Sequence, residues 1–277
     1  MNNCNFQLKT YKKQKIKLLL SQIILLITFL IIWELLARFN IIDDFLFSCP
    51  SKIVSLLIKY VKTKEIFKHI WISVYETILG IIIGTSFGIL IAIILWSNEK
   101  LSKLFEPFLV ILNALPKTAL APIMIIWAGT GTSGIVVVSI SILIVITIIS
   151  AYNYFISVDK EKIKMLKSFN ANKLQIFTKL ILPNNLINII NIIKINIGMS
   201  WVGVIVGEFL VSRAGIGYLI MYGGQVFKLD LVMMGVIVLA ICAYIMWKGV
   251  DILEKYFSKK RGMKLWEKLN FYYFLWC

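Results

Sequence analysis

The sequence predicts an all-α, polytopic membrane protein with six transmembrane helices, and three observations carry that prediction. Of the 277 residues, 59% belong to the apolar set AVILMFWYC and 16% are charged, where soluble domains stand near roughly 45–50% and about 25%. The mean hydropathy is +0.85, and a soluble fold of this length has no core large enough to hide that much apolar surface. The apolar residues also collect into six stretches, each close to the roughly 20 residues that a hydrocarbon layer of about 30 Å asks of a helix.

The first stretch, Leu18–Leu36, follows a tail (residues 1–17) carrying Lys9, Lys12, Lys13, Lys15 and Lys17. Its basic flank resembles that of a signal peptide, but it is too long and lacks a small-residue cleavage site, so it is read as a helix. Residues 37–73 form a loop with an amphipathic segment holding Lys52, Lys59, Lys62, Lys64 and Lys68. Five further stretches fall within a core domain over residues 74–250: Val74–Trp96, Leu104–Trp127, Ile135–Tyr152, Ile195–Val211 and Leu231–Trp247. Trp96, Trp127 and Trp247 stand at span ends, where an amphipathic ring prefers the headgroup level. Residues 251–277 make a basic C-terminal tail. Counting Lys and Arg on alternate sides gives 20 on the side of the termini and 8 opposite, which sets both termini in the cytoplasm. The lysines between residues 52 and 68 run against that rule.

The third stretch carries Pro107, Pro116 and Pro122. Each removes a backbone donor and clashes with the preceding turn, so this span is expected to be kinked or broken. Broken helices persist in a bilayer beside protein or a water-filled cavity, and both a pathway-lining role and irregular packing fit. Lys117 follows Pro116 in mid-span. An ionisable group at that depth marks a functional-site hypothesis and would suit an anionic solute; a snorkelling or paired lysine is the alternative. Glu208, near the outer end of the fifth span, reads as its partner, as a gate residue or as a carboxylate facing water. Glu34 and Glu76 lie close to span ends and read as interfacial. Gly80, Gly84 and Gly88 form one small-residue stripe and Gly203 and Gly207 another; this spacing lets helices approach closely, within a subunit or across a dimer.

Between the fourth and fifth spans lies a cytoplasmic loop, residues 157–183, too long for a simple connection. Asp159 and Glu161 sit where a helix starts. Ile163, Leu166 and Phe169 recur at threes, and Leu174, Phe177 and Ile181 repeat the pattern after Asn170-Ala171-Asn172. That predicts two short amphipathic helices joined by a turn, with Asn170 left-handed and Asn172 capping the second. Pro183 is expected to push Leu182 out of helical conformation and end it. Such a hairpin either lies on the lipid surface or docks into a groove on a soluble partner.

The loop resembles the cytoplasmic loop of permease subunits of bacterial ATP-binding-cassette (ABC) importers. Their motif is Glu-Ala-Ala, three residues, Gly, nine residues, then Ile-x-Leu-Pro. Here Lys164, Met165 and Leu166 stand at the Glu-Ala-Ala positions, Asn170 at the Gly and Leu180 at the Ile, while Leu182-Pro183 is retained. The segment ALPKTALAPIMIIWAGTGTSG (residues 114–134) is similar to permeases of the aliphatic sulfonate, taurine and nitrate type, as is WVGVIVGEFLVSRAGIGYLI (residues 201–220). The resemblance covers about residues 70–250. It implies the type I importer permease fold, a two-fold assembly (a homodimer), and two copies of a separate ATPase that bind ATP and Mg and grip the loop. It also implies an extracytoplasmic solute-binding protein. The solute implied is a sulfonate, taurine or nitrate, with a pyrimidine- or riboflavin-type vitamin precursor as the alternative.

Other classes have little to work with. The single histidine, His69, supports neither a His-based metal centre nor a catalytic triad, and a polytopic membrane enzyme would need clustered His, Asp or Glu. Cys4, Cys49, Cys242 and Cys277 are scattered and read as singly packed apolar residues, with no metal site and no disulfide framework. No GxxxxGK[ST] loop occurs, so the chain carries no ATPase site of its own. The net charge of +16 fits loops facing anionic lipid rather than nucleic acid. An ion-coupled secondary transporter predicts internal repeats and deep carboxylates, neither of which stands out.

Overall fold

The computed structural model describes residues 2–260, and every regular element among them is helical. Cys277 and the end of the basic tail lie outside the described residues. The chain divides into two compact units: residues up to 66 with 220–235, and 67–219 with the chain from 236 onward.

In the first unit, helix α1 (Asn2–Arg38) exposes Ile24, Leu25, Leu26 and Ile27, four successive residues that go once round the helix. A helix apolar all round belongs in lipid. At its end Arg38 Nε donates to Glu34 Oε1 at 2.8 Å, and the Ser51 amide donates to Glu34 Oε2 at 3.1 Å. After the single turn α2 (Asp44–Phe47), helix α3 (Pro50–Lys62) starts on a proline, whose missing N–H costs nothing in a first turn. It is amphipathic as expected, burying Ile53 and exposing Lys59 and Lys62.

The second unit is organised on three long helices: α4 (Glu65–Ser97), α7 (Thr132–Ile156) and α10 (Leu182–Val211). Their close approach follows from the glycine stripes. A Cβ on Gly80 would strike Ser139, one on Gly84 would strike Leu143, and one on Gly88 would strike Thr147, all on α7. From the other side, a Cβ on Gly203 of α10 would run into the Ser139 backbone, and one on Gly207 into Ile135. Both stripes thus pack within one chain. Hydrogen bonds occupy the levels between them. Ser139 Oγ and Ser200 Oγ are 2.7 Å apart, and Ser200 Oγ donates to the Thr77 carbonyl at 3.1 Å. Asn196 Nδ2 donates to Thr85 Oγ1 and Thr147 Oγ1, each at 2.8 Å.

The proline-rich third span is broken. Helix α5 (Glu99–Ala114) and the run Lys117–Ala128 meet at 84°; counted as one, they bring the five membrane-length helices among the described residues to six. Leu115, ahead of Pro116, is extended (ψ 135°), as a pre-proline residue prefers. A 3-10 turn (Lys117–Leu120) then leads into α6 (Ala121–Ala128) with Pro122 in its first turn.

Two boundaries differ from the sequence expectation. The fifth span does not begin at Ile195: α10 starts at Leu182 and takes in Asn184, Asn185, Asn188 and Asn191. Buried Asn185 donates to the Ile181 carbonyl at 3.0 Å and accepts from Asn188 at 2.8 Å, so the buried asparagine is satisfied within the helical run. The last helix, α12 (Leu229–Lys260), also outruns its apolar stretch. Lys194 explains part of this: it bridges Asp251 at 3.2 Å and Glu254, and lies 5.4 Å from the Trp247 ring, joining α10 to α12.

Candidate functional site

Two places on the α4–α7–α10 bundle gather functional side chains, one at each end. The first is the loop between α7 and α10. Helix α8 (Lys160–Ser168) begins on Asp159, whose carboxylate accepts from the Glu161 amide at 2.9 Å. It ends with the Asn170 N–H bonded to the Lys167 carbonyl and the Ala171 N–H to that of Leu166. These are the paired bonds of a Schellman cap, with Asn170 left-handed at φ 58°. Helix α9 (Lys173–Ile176) opens on a reciprocal capping box: the Gln175 amide donates to Asn172 Oδ1 at 2.8 Å and the Asn172 amide to Gln175 Oε1 at 2.9 Å.

The hairpin does not end at Pro183. Phe177–Ile181 form a π-helical turn, Leu182 is helical (φ −60°, ψ −49°), and Pro183 lies in the first turn of α10. The wider π-turn and the absent need for an N–H let the proline sit inside a continuous helical run. Phe177 is 6% exposed and packs at 5.4 Å from both Trp96 and Phe155. With Ile176 and Ile181 it forms a core with Ala92 of α4, Ala151 of α7 and Ile192 of α10. Ile163, Leu166, Leu180 and Leu182 lean on that core half-buried. Lys173 Nζ donates to the Ser97 carbonyl at 3.0 Å, tying α9 to the last turn of α4. What remains outward is Lys164, Met165, Phe169 (76% exposed), Asn170 and Leu174 (70% exposed). Thus Phe177, which shares its spacing with Phe169, anchors the loop from within and is absent from its outer surface.

At the opposite end, Glu208 is 1% exposed and is not a carboxylate facing water. Ser73 Oγ donates to its Oε1 at 2.5 Å, and the amides of Gly217 and Tyr218 donate to Oε2 at 2.5 and 3.3 Å. The carboxylate therefore caps the N-terminus of α11 (Ile216–Gln225), whose amide partial charges offset its own. Gly215, at φ 121°, leaves room for this: a Cβ there would collide with the Glu208 carboxyl. The Ile216 amide donates to Ser73 Oγ at 2.7 Å and the Gly215 amide to His69 Nδ1 at 3.0 Å.

Glu76 departs from its sequence reading as interfacial. It is 1% exposed, one turn along α4 from Ser73, beside the side chains of Thr132 and Glu208. It lines an open cleft of about 610 Å³ together with Ile72, Thr130, Thr132, Ile135 and Arg213. Spacing could not reveal Glu76, because a carboxylate near a span end faces protein or water according to tertiary packing alone. Lys117 is not brought to Glu208. Its ammonium reaches the Asn113 carbonyl at 3.4 Å, within its own broken span, beside an exposed Pro116.

A family model described as "Binding-protein-dependent transport system inner membrane component" matches residues 84–262. An aliphatic sulfonates transport permease protein, SsuC of Bacillus subtilis, is 26% identical over 83% of this chain and 84% of its own length. The taurine transport system permease protein TauC of Escherichia coli is 23% identical over 84% and 86%. The formylaminopyrimidine transport permease protein ThiX of Halalkalibacterium halodurans is 26% identical over 68% and 75%. A chain from the MetNI methionine ABC transporter, solved in inward facing conformations, shares the fold with a TM-score of 0.61 at 16% identity, covering 69% of this chain and 94% of that one.

Proposed function

The chain belongs to the binding-protein-dependent transport system inner membrane component family, multi-pass permeases of ABC importers rather than enzymes, and from that premise we propose how it works. The subunit forms a homodimer with both termini in the cytoplasm. Its 157–183 loop docks on a separate ATPase, which binds the ATP and Mg that this chain does not. An extracytoplasmic binding protein delivers the solute. ATP-driven closure of the ATPase pair draws the loops together and biases the bundle between inward- and outward-facing states, because the partner binds the two states unequally. Lys117, at the break in the third span, is a candidate pathway residue.

The observation that carries this reading is the loop: a doubly capped hairpin, rooted by Phe177 and Lys173 in the ends of α4, α7 and α10, that presents Met165, Phe169 and Leu174 outward. A rigid knob with apolar tips suits a groove on a soluble partner. The solute reading is a small molecule with an anionic group, of the sulfonate, taurine or nitrate kind, supported for sulfonates and taurine by the names of two relatives. A pyrimidine vitamin precursor is the second reading, supported by the third.

The test is co-purification with the cognate ATPase. Phe169→Asp is expected to abolish capture of the ATPase while the permease still inserts, since the side chain holds nothing in the fold. Phe177→Asp is expected to reduce folded permease itself. Undiminished capture by Phe169→Asp contradicts docking through this loop.

A further inference from the structure

Buried polar groups in this bundle find partners with few exceptions, and the exceptions are informative. Glu76 Oε2 is one: fully buried and without a hydrogen-bond partner. Its neighbour Glu208 has three donors and a helix N-terminus to offset its charge; Glu76 has no comparable set. Two carboxyl groups side by side in a low-dielectric interior cannot both ionise unless a positive group stands with them; otherwise one keeps its proton. The described residues place no lysine or arginine in an ion pair with Glu76. It does open onto the 610 Å³ cleft, whose rim carries Arg213, exposed, with Thr130 and Thr132 near it. A concave site with an apolar floor and a few convergent polar groups is the usual form of a small-molecule site. This one offers a buried carboxyl with an unpartnered oxygen at depth and a cation at the mouth.

We propose that this cleft is a solute subsite for a small zwitterion, with the solute's ammonium group against Glu76 and its anionic group toward Arg213. This rests on the chain being the solute-translocating subunit, and within the solutes proposed above it favours those that carry a cationic nitrogen beside the anionic group over sulfonates or nitrate without one. Thr130 and Thr132 supply neutral hydroxyls between the two charges. Glu208 remains the cap of α11 and takes no direct part. The cleft lies at the ends of α4, α7 and α10 remote from the ATPase-docking loop, so solute and ATPase engage opposite ends of the same three helices.

The experiment uses the complete complex of permease, ATPase and binding protein in proteoliposomes. Uptake is measured for matched solutes that differ only at the amine: 2-aminoethanesulfonate against 2-hydroxyethanesulfonate, and 3-aminopropanoate against propanoate. The wild-type complex is expected to prefer the ammonium-bearing member of a pair by about tenfold or more, the worth of one hydrogen bond to a buried charge. Glu76→Gln, which keeps shape, is expected to reduce that preference to about twofold. The binding protein is unchanged, so the loss belongs to the permease. Arg213→Gln, at an exposed position, is expected to weaken both members of a pair alike. A Glu76→Gln complex with its preference intact overturns the proposal, and so does a wild-type complex that carries only the amine-free members. Failure of the broader reading looks different: it is uptake by the wild type that does not require ATP.

Discussion

Asn170 shows how much one dihedral can decide. Its φ of 58° closes the Schellman cap that turns α8 into α9. Asn tolerates this region because its short polar side chain bonds locally, and Gly tolerates it because it has no Cβ. Asn170→Gly is therefore expected to leave the thermal midpoint of the purified complex and its ATPase rate within error of wild type. Asn170→Val sets a β-branched side chain at positive φ, at a cost of about 1–2 kcal/mol or more, and is expected to lower both. Equal behaviour of the two variants contradicts the turn. Both caps were legible in the sequence, because Asn-Ala-Asn between two apolar periodic runs carries local chemistry that needs no tertiary information. The separate fates of Phe169 and Phe177 were not. Periodicity says which residues share a face, not whether that face meets protein or water.

At the level of elements, the glycine stripes give the sharpest contrast. Gly203 and Gly198 both lie within α10, yet a Cβ on Gly203 meets the Ser139 backbone whereas one on Gly198 meets nothing within 4 Å. Gly203→Ala is expected to destabilise the detergent-solubilised permease by about 1–3 kcal/mol, as overpacking against a backbone that cannot yield does. Gly198→Ala is expected to be neutral or to gain up to about 1 kcal/mol in helix propensity. Thermal unfolding of the two variants checks this, and equal losses contradict the packing. Span number, the break at Pro116 and the stripes all followed from sequence, since bilayer thickness and proline stereochemistry act locally. The start of the fifth span did not. Its four asparagines lower the hydropathy of residues 184–191, but Asn185 and Asn188 are bonded within the same helical run. The π-turn at Phe177–Ile181 left no signal before Pro183, and without it that proline reads as a stop.

On the scale of the whole subunit, the capped loop stands at one end of three helices and a polar cleft at the other. Helix α7 alone, at 25 residues, spans about 37 Å. Interlocked glycines and buried Ser, Thr and Asn bonds hold the three helices together, and under the proposed docking they form the lever that carries a load from Phe169 toward Glu76 and Glu208. Lys194, with Asp251 and Glu254, couples α12 to the same lever. The central claim is that a separate ATPase drives this lever, and the direct measurement is solute uptake by proteoliposomes containing the permease, its ATPase and the binding protein, with and without enclosed ATP. Uptake that requires hydrolysable ATP, persists when ion gradients are collapsed and disappears with Phe169→Asp is the predicted result. Uptake that proceeds without ATP and follows an imposed proton or sodium gradient contradicts the account.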